Sequence, residues 1–238
     1  AAPLGIKNDG KGLDHYIPPV DQVNISTLGL KVPFIALVIG AAHATKRLPP
    51  EKLIELCAKI KQPIALLGGP ADEESGLAIA ATGDHIVNLC GQLRLHQSAD
   101  VLRQCTVVIT HDTGLMHMAA ALRKPIRSIW GNTVPEFGMY PYLPAIGSLQ
   151  LPITRYREFA TPDEPSVGST DAKVSSLDLQ RPISLHIAFE VAPLSCRPCS
   201  KIGYGTCPKG HFKCMKEQDV SAIAESISIK NPTQHLNI

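Results

Sequence analysis

The chain has 238 residues, 44% of them hydrophobic and 18% charged, with a formal net charge of +2 at pH 7. That length and balance suffice to bury at least one full core and suit one large or two small domains, while near-neutrality without a run of Lys or Arg argues against a nucleic-acid partner. No stretch approaches the ~18 consecutive apolar residues of a membrane span, and the first residues lack the charged-then-apolar order of a signal peptide, so the sequence reads as soluble and cytosolic.

Residues 1–30 hold Gly, Pro and Asp with little apolar periodicity and read as a connector. FIALVIG (34–40) is an apolar run ended by Gly, a buried strand; PPEKLIELCAKI (49–60) follows as a Pro-started helix. PIALLGG (63–69) is a second strand with a glycine corner, and DEESGLAIAATG (72–83) a helix with acidic residues in its first turn. HIVNLCG (85–91) and HQSADVLRQC (96–105) form the next strand and helix, TVVIT (106–110) and LMHMAAALRK (115–124) the next, and PIRSIWG (125–131) a further strand. Strand and helix alternate through short loops, which predicts a Rossmann-like α/β domain over 31–145, a parallel sheet with helices on both faces. Residues 146–182 mix Pro, Ser, Thr, Asp and Gly and read as a flexible insertion. In the remainder, 183–238, Ile183, Leu185, Ile187, Phe189 and Val191 alternate as a half-exposed strand before a Cys-rich segment, and QDVSAIAESI (218–227) is a last helix.

Ligands of such sheets sit beyond the carboxyl ends of the strands. At HDTG (111–114) a strand delivers Asp112, Thr113 and Gly114 to the first turn of a helix, where free amides and the positive end of the helix dipole form a seat for phosphate. His117, one turn along, faces the same ligand in this reading; the competing reading makes Asp112 or Thr113 a simple cap and His117 a satisfied, partly buried histidine. Lys46 and Arg47 stand at the mouth of the sheet as partners for a diphosphate or as solvated surface cations. Asp72, Glu73 and Glu74 follow a glycine corner, where one carboxylate suits ribose hydroxyls and the others supply helix N-terminal charge. G-x-G-x-x-G after the first strand, the P-loop pattern and a G-x-S-x-G elbow are all missing, which disfavours a dinucleotide oxidoreductase, a P-loop enzyme and an α/β-hydrolase.

Of the seven cysteines, Cys57, Cys90 and Cys105 stand singly in apolar patterns, as small core residues do. Cys196, Cys199, Cys207 and Cys214 crowd into SCRPCSKIGYGTCPKGHFKCM with His211. The odd count and the clustering fit a reducing compartment. A C-x-x-C pair followed by two further soft ligands forms tetrahedral zinc sites, whereas the six residues between Cys207 and Cys214 fit a set of reduced structural thiols equally well.

Taken together, GAAHATKRLP, LLGGPADEE, ITHDTGLMHMAAAL, SIWGNTVPEFGMYPY and CRPCSKIGYGTCPKGHFKCM resemble the ADP-heptose:lipopolysaccharide heptosyltransferases, glycosyltransferases of the GT-B fold, over residues 5–145 and 192–228. The resemblance implies one half of a GT-B enzyme, an inverting transfer of heptose from ADP-heptose to the lipopolysaccharide inner core with no metal required, in the cytoplasm and peripheral on the inner membrane. It implies that Thr113, Gly114 and Leu115 at the helix start hold the diphosphate, that Lys46 neutralises charge as ADP leaves, and that Asp112 and His117 orient phosphate or sugar. Leu93 would lie against adenine, and Asp72 or Glu73 would meet the ribose. The family's general base belongs to an amino-terminal domain that residues 1–30 do not match, so a further domain of roughly 100–200 residues is expected upstream. The competing functions are another GT-B nucleotide-sugar enzyme, or an epimerase, and a non-catalytic assembly module holding zinc at its cysteines.

Overall fold

The strand sequences are apolar at almost every position because the strands they form are covered on both sides. In β1 (Ile35–Val38) and its flanks, Ile35, Leu37 and Ile39 enter one hydrophobic cluster while Phe34, Ala36 and Val38 enter another on the opposite face of the sheet. The computed structural model describes residues 4–5, 9–143, 154–159 and 186–227. Its sheet is parallel throughout, with β2 (Ile64–Leu67), β3 (Ile86–Asn88), β4 (Val107–His111), β5 (Ile126–Trp130), β6 (Thr154–Phe159) and β7 (His186–Ala192) joining β1 in the order β3-β2-β1-β4-β5-β7-β6.

From β1 the chain steps outward through β2 to β3, and α1 (Pro50–Lys59) and α2 (Glu73–Ala80) place Leu53, Leu56, Cys57 and Ile79 on the first face. It then returns to β4 beside β1 and steps the other way to β5, with α3 (Leu95–Gln104) and α4 (Gly114–Ala121) placing Val101, Leu102, Met116, Ala119 and Ala120 on the second face. A single crossover hand produces this switch of face when the direction of travel reverses. The predicted α/β Rossmann-like class, with helices on both faces, is therefore what the chain adopts. Cys57, Cys90 and Cys105 are buried free thiols, pushed up to about 12 chiefly by burial, as small core residues.

Two expectations are corrected beyond β5. The segment 146–182 is not wholly irregular, since Thr154–Phe159 forms β6, pairing in parallel with β7; the rest of that segment lies outside the described residues. Nor is β7 half-exposed, since His186 through Val191 are all buried. Its polar positions deceive because each has a buried partner. Trp130 donates its indole N–H to Ser128 Oγ at 2.7 Å, which leaves the Ser128 hydroxyl to donate to His186 Nε2 at 2.6 Å; Glu190 pairs with Arg197 at 2.8 Å. The first face is closed there by Cys214 and Met215 of the short α5 (Lys213–Lys216) and by Val220 and Ile223 of α6 (Val220–Glu225), with buried Arg127 donating to the Ser226 carbonyl and hydroxyl.

Part of the stretch read as a connector packs on the domain. Ile25 and Leu30 are buried in the second-face cluster, Asp21 pairs with Arg94 at 2.7 Å, and the Val23 amide donates to Asp100 at 2.9 Å. Asp100 is fully buried on α3 and also accepts from Arg103 at 2.8 Å and Gln104 at 2.8 Å. Asp100→Ala takes the side-chain acceptor from the Val23 amide and Arg103 and one of several from Gln104, and a loss of about 3 kcal/mol is expected in urea unfolding. Asp100→Asn, which keeps one acceptor oxygen, is expected to lose less; equal stability of all three proteins would refute this role.

Candidate functional site

The reversal of strand order leaves a crevice at the carboxyl ends of β1 and β4, and the loops leaving those two strands meet there. Beyond β4, Thr113 is extended (φ −143°, ψ 167°) and caps α4, its hydroxyl accepting the Met116 amide at 3.4 Å. The same hydroxyl lies 3.3 Å from that of Thr110, which ties the cap to the strand. Among the described residues the amides of Gly114 and Leu115 have no acceptor. Gly114 is exposed, and a Cβ built on it would meet no atom within 4 Å. The helix start therefore holds two N–H groups without an acceptor among the described residues, beginning at an exposed glycine. His117, one turn along, and Leu115 are half-buried.

Opposite, the loop from β1 ends in a short 3-10 turn, Ala44–Lys46. Lys46 Nζ reaches Asp112 Oδ2 at 2.6 Å, with 13% and 7% of the two side chains exposed. The Thr133 hydroxyl donates to the same oxygen at 3.1 Å. Arg47 turns inward instead, donating to the Ala41 carbonyl and to Asp72 at 3.0 Å. His111, fully buried at the end of β4, accepts the Leu48 amide on Nε2 at 3.0 Å. Burial lowers its pKa to about 4, the Gly40 backbone opposing and the Arg47 charge adding to the fall.

The two carboxylates considered for ribose separate cleanly. Asp72 is buried and lies against two glycines: a Cβ on Gly40 would stand 2.2 Å from its Oδ2, and one on Gly68 2.8 Å from its Cβ. Its oxygens are committed to the Gly69 amide at 2.8 Å and to Arg47. Glu73 is exposed on the first turn of α2 beside Gly91, whose left-handed backbone (φ 74°) turns the chain toward half-buried Leu93.

The Cys-rich segment lies against the loops after β1 and β5. The Thr45 amide donates to the Tyr204 carbonyl at 3.2 Å and the Tyr204 amide to the Thr45 hydroxyl at 2.8 Å. Gly203, at φ 129°, packs so closely on His43 that a Cβ would fall 2.6 Å from it. Arg197 donates to the Gly131 and Thr133 carbonyls, and the Cys199 amide donates to the Asn132 carbonyl at 3.2 Å. Cys196, Cys199, Cys207 and Cys214 are free thiols. Cys196 Sγ lies 3.6 Å from His211 Nε2, while His211 Nδ1 accepts the Lys213 amide at 3.1 Å, so the imidazole proton is on the nitrogen facing sulfur. Burial pushes the Cys214 thiol up to about 12, with the Arg197 charge opposing and the neighbouring cysteines adding to the rise. Among the described residues no three His, Cys, Asp or Glu side chains are grouped to hold a metal ion.

Lys46 and Asp112 thus meet beside Thr113 and Gly114 at the crevice, with Leu115 and His117 following on the first turn of α4, Glu73 on the first turn of α2 and Leu93 on the loop after β3. Sequence reasoning missed His111, Thr133, Arg197 and Tyr204. A histidine ending an apolar strand and an arginine inside the C-x-x-C were the only signals for two of them.

The sequence profile of the family described as Glycosyltransferase family 9 (heptosyltransferase) matches residues 18–164. Lipooligosaccharide heptosyltransferase 2 of Haemophilus influenzae is 35% identical over 91 residues, 36% of this chain and 26% of that protein. Lipopolysaccharide heptosyltransferase 2 of Escherichia coli is 31% identical over 123 residues, 48% of this chain and 35% of that protein. Among solved structures, the E. coli ADP-heptose lipopolysaccharide heptosyltransferase II aligns with a TM-score of 0.43 and 28% identity over 51% of this chain and 40% of that one. The chain spans between about a quarter and about a third of the length of these two curated relatives. The profile match takes in more than half of the chain, including both loops of the crevice, and the chain belongs to glycosyltransferase family 9, the heptosyltransferases.

Proposed function

We propose that this chain is the donor-binding half of a heptosyltransferase that moves heptose from ADP-heptose to the lipopolysaccharide inner core with inversion, at the cytoplasmic face of the inner membrane. The observation that carries the reading is the pair of unfilled amides at the exposed start of α4, with Lys46 held across the crevice by Asp112. A diphosphate accepts those N–H groups and gains from the helix dipole. In the transfer step the acceptor oxygen forms a bond to the anomeric carbon while the bond from that carbon to the diphosphate breaks, and negative charge grows on the departing ADP. Fixed amides and an ammonium stabilise that charge more in the transition state than in the ground state, so the step requires no metal. The general base that takes the acceptor proton belongs, in this reading, to the other half of the enzyme.

Asp112 takes the role of orienting Lys46 and the bound sugar, and His117 that of a further hydrogen-bond partner for phosphate. Because Asp72 is committed inside the protein, the ribose role falls to Glu73, with Leu93 against the adenine. Zinc, if held at Cys196, Cys199, Cys207 and Cys214, acts as a staple away from the reacting groups.

Isothermal titration is expected to show ADP binding more tightly than UDP or GDP, and Lys46→Ala weakening ADP at least tenfold, the loss of a charge-assisted contact. A chain that is folded yet binds no ADP would overturn the reading. Glu73→Ala is expected to weaken ADP severalfold without lowering the melting temperature, whereas Asp72→Ala lowers the melting temperature first; the reverse pattern would return the ribose role to Asp72. Exhaustive chelation is expected to leave the ADP affinity unchanged, and a loss restored by added zinc would tie the cysteines to donor binding.

A further inference from the structure

The segment Lys46-Arg47-Leu48 is held to β4 by two consecutive residues. Asp112 holds the ammonium of Lys46, and His111 accepts the backbone N–H of Leu48. His111 continues the face of Val107 and Ile109, successive strand side chains alternating between faces, and Leu48 is buried in the same cluster. The two residues after Leu48 are Pro49 and Pro50, which have no N–H. The Leu48 amide is therefore the last donor before α1 able to fasten this loop, and α1 fixes the loop's far end.

We infer that His111 is a positioning residue that sets the reach of Lys46 toward the start of α4 by accepting the Leu48 amide as an uncharged imidazole. This rests on the proposed role of Lys46 at the diphosphate. An aliphatic residue would continue the strand equally well and leave the buried amide with no acceptor. A charged imidazole could not accept, and the burial that lowers the His111 pKa to about 4 keeps the ring neutral over the working range. Glutamine, whose side-chain oxygen reaches where Nε2 stands, can replace it.

The test is a double-mutant cycle on the full chain, read by titration with ADP. His111→Leu is expected to weaken ADP roughly fivefold alone and to have no further effect in a Lys46→Ala background, because coupled residues are not additive. His111→Gln is expected to restore the affinity. A second readout is stability against pH: the unfolded chain protonates this histidine near 6.5 and the folded chain near 4, so stability falls as pH drops through that window, and the His111→Gln protein lacks that part of the slope. Additive losses in the cycle, or full affinity in folded His111→Leu, would overturn the inference. If His111→Leu does not fold, hydrogen exchange in the wild-type chain decides: a protected Leu48 amide supports the clamp and a freely exchanging one sinks it. Failure of the wild-type chain to bind ADP would instead sink the underlying functional reading, leaving the exchange result to report on the clamp alone.

Discussion

Everything at this site follows from β1 and β4 lying side by side while the chains leaving them turn to opposite faces of the sheet. Among the described residues no crossover helix covers the gap between their carboxyl ends, so polar backbone can face outward there without being buried. One side of the gap is the exposed start of a helix, and the other is a loop that must span to α1. The Lys46–Asp112 pair joins the two sides, and the helix amides beside it stay open.

Holding that gap open takes buried polar chemistry on either side. Asp72 fits between the ends of β1 and β2 only because Gly40 and Gly68 have no side chains, and it binds Arg47, which in turn grips the Ala41 carbonyl. On the other flank, Arg197 gathers the carbonyls of Gly131 and Thr133, and Thr133 donates to Asp112. The Cys-rich segment supports the site through Tyr204 and Thr45. Buried groups linked this way have one arrangement that satisfies all of them, which favours a single geometry for Lys46.

The order of elements was readable from apolar runs and glycine corners, and so was the polar corner at Asp112-Thr113-Gly114, because a strand and a helix can meet there only through a turn whose amides are free. What the sequence concealed were partners distant along the chain. Alternation in β7 reads as one wet face, but His186 and Glu190 are buried against Ser128 and Arg197. Asp72 and Glu73 are neighbouring carboxylates, and the glycines at 40 and 68 make the room that commits Asp72 inward. The prediction that Asp72 and Glu73 differ in melting temperature rests on that packing, which no periodicity carries. His111 was read as the first residue of the polar corner; it is instead the last residue of the strand, and its polarity serves a loop that lies 63 positions away.

The charge count at the crevice constrains how, in the proposed reading, a diphosphate would be recognised there. Lys46 is already paired with Asp112 and Arg47 with Asp72, so these two cations bring little net positive charge before a ligand arrives. A surface that attracted anions by unpaired lysines would bind sulfate or inorganic phosphate as readily and would weaken steeply with salt. Here, in the proposed reading, discrimination comes from directed N–H groups whose spacing is set by the helix, and Lys46 contributes when the diphosphate comes close enough to share its ammonium with Asp112. Because the partner carboxylate is mostly buried and also held by Thr133, the ammonium is held in place; in the proposed reading that is where negative charge develops as ADP departs. On that reading, the ion pair that neutralises the free site is also the device that keeps its cation in place for the transfer step.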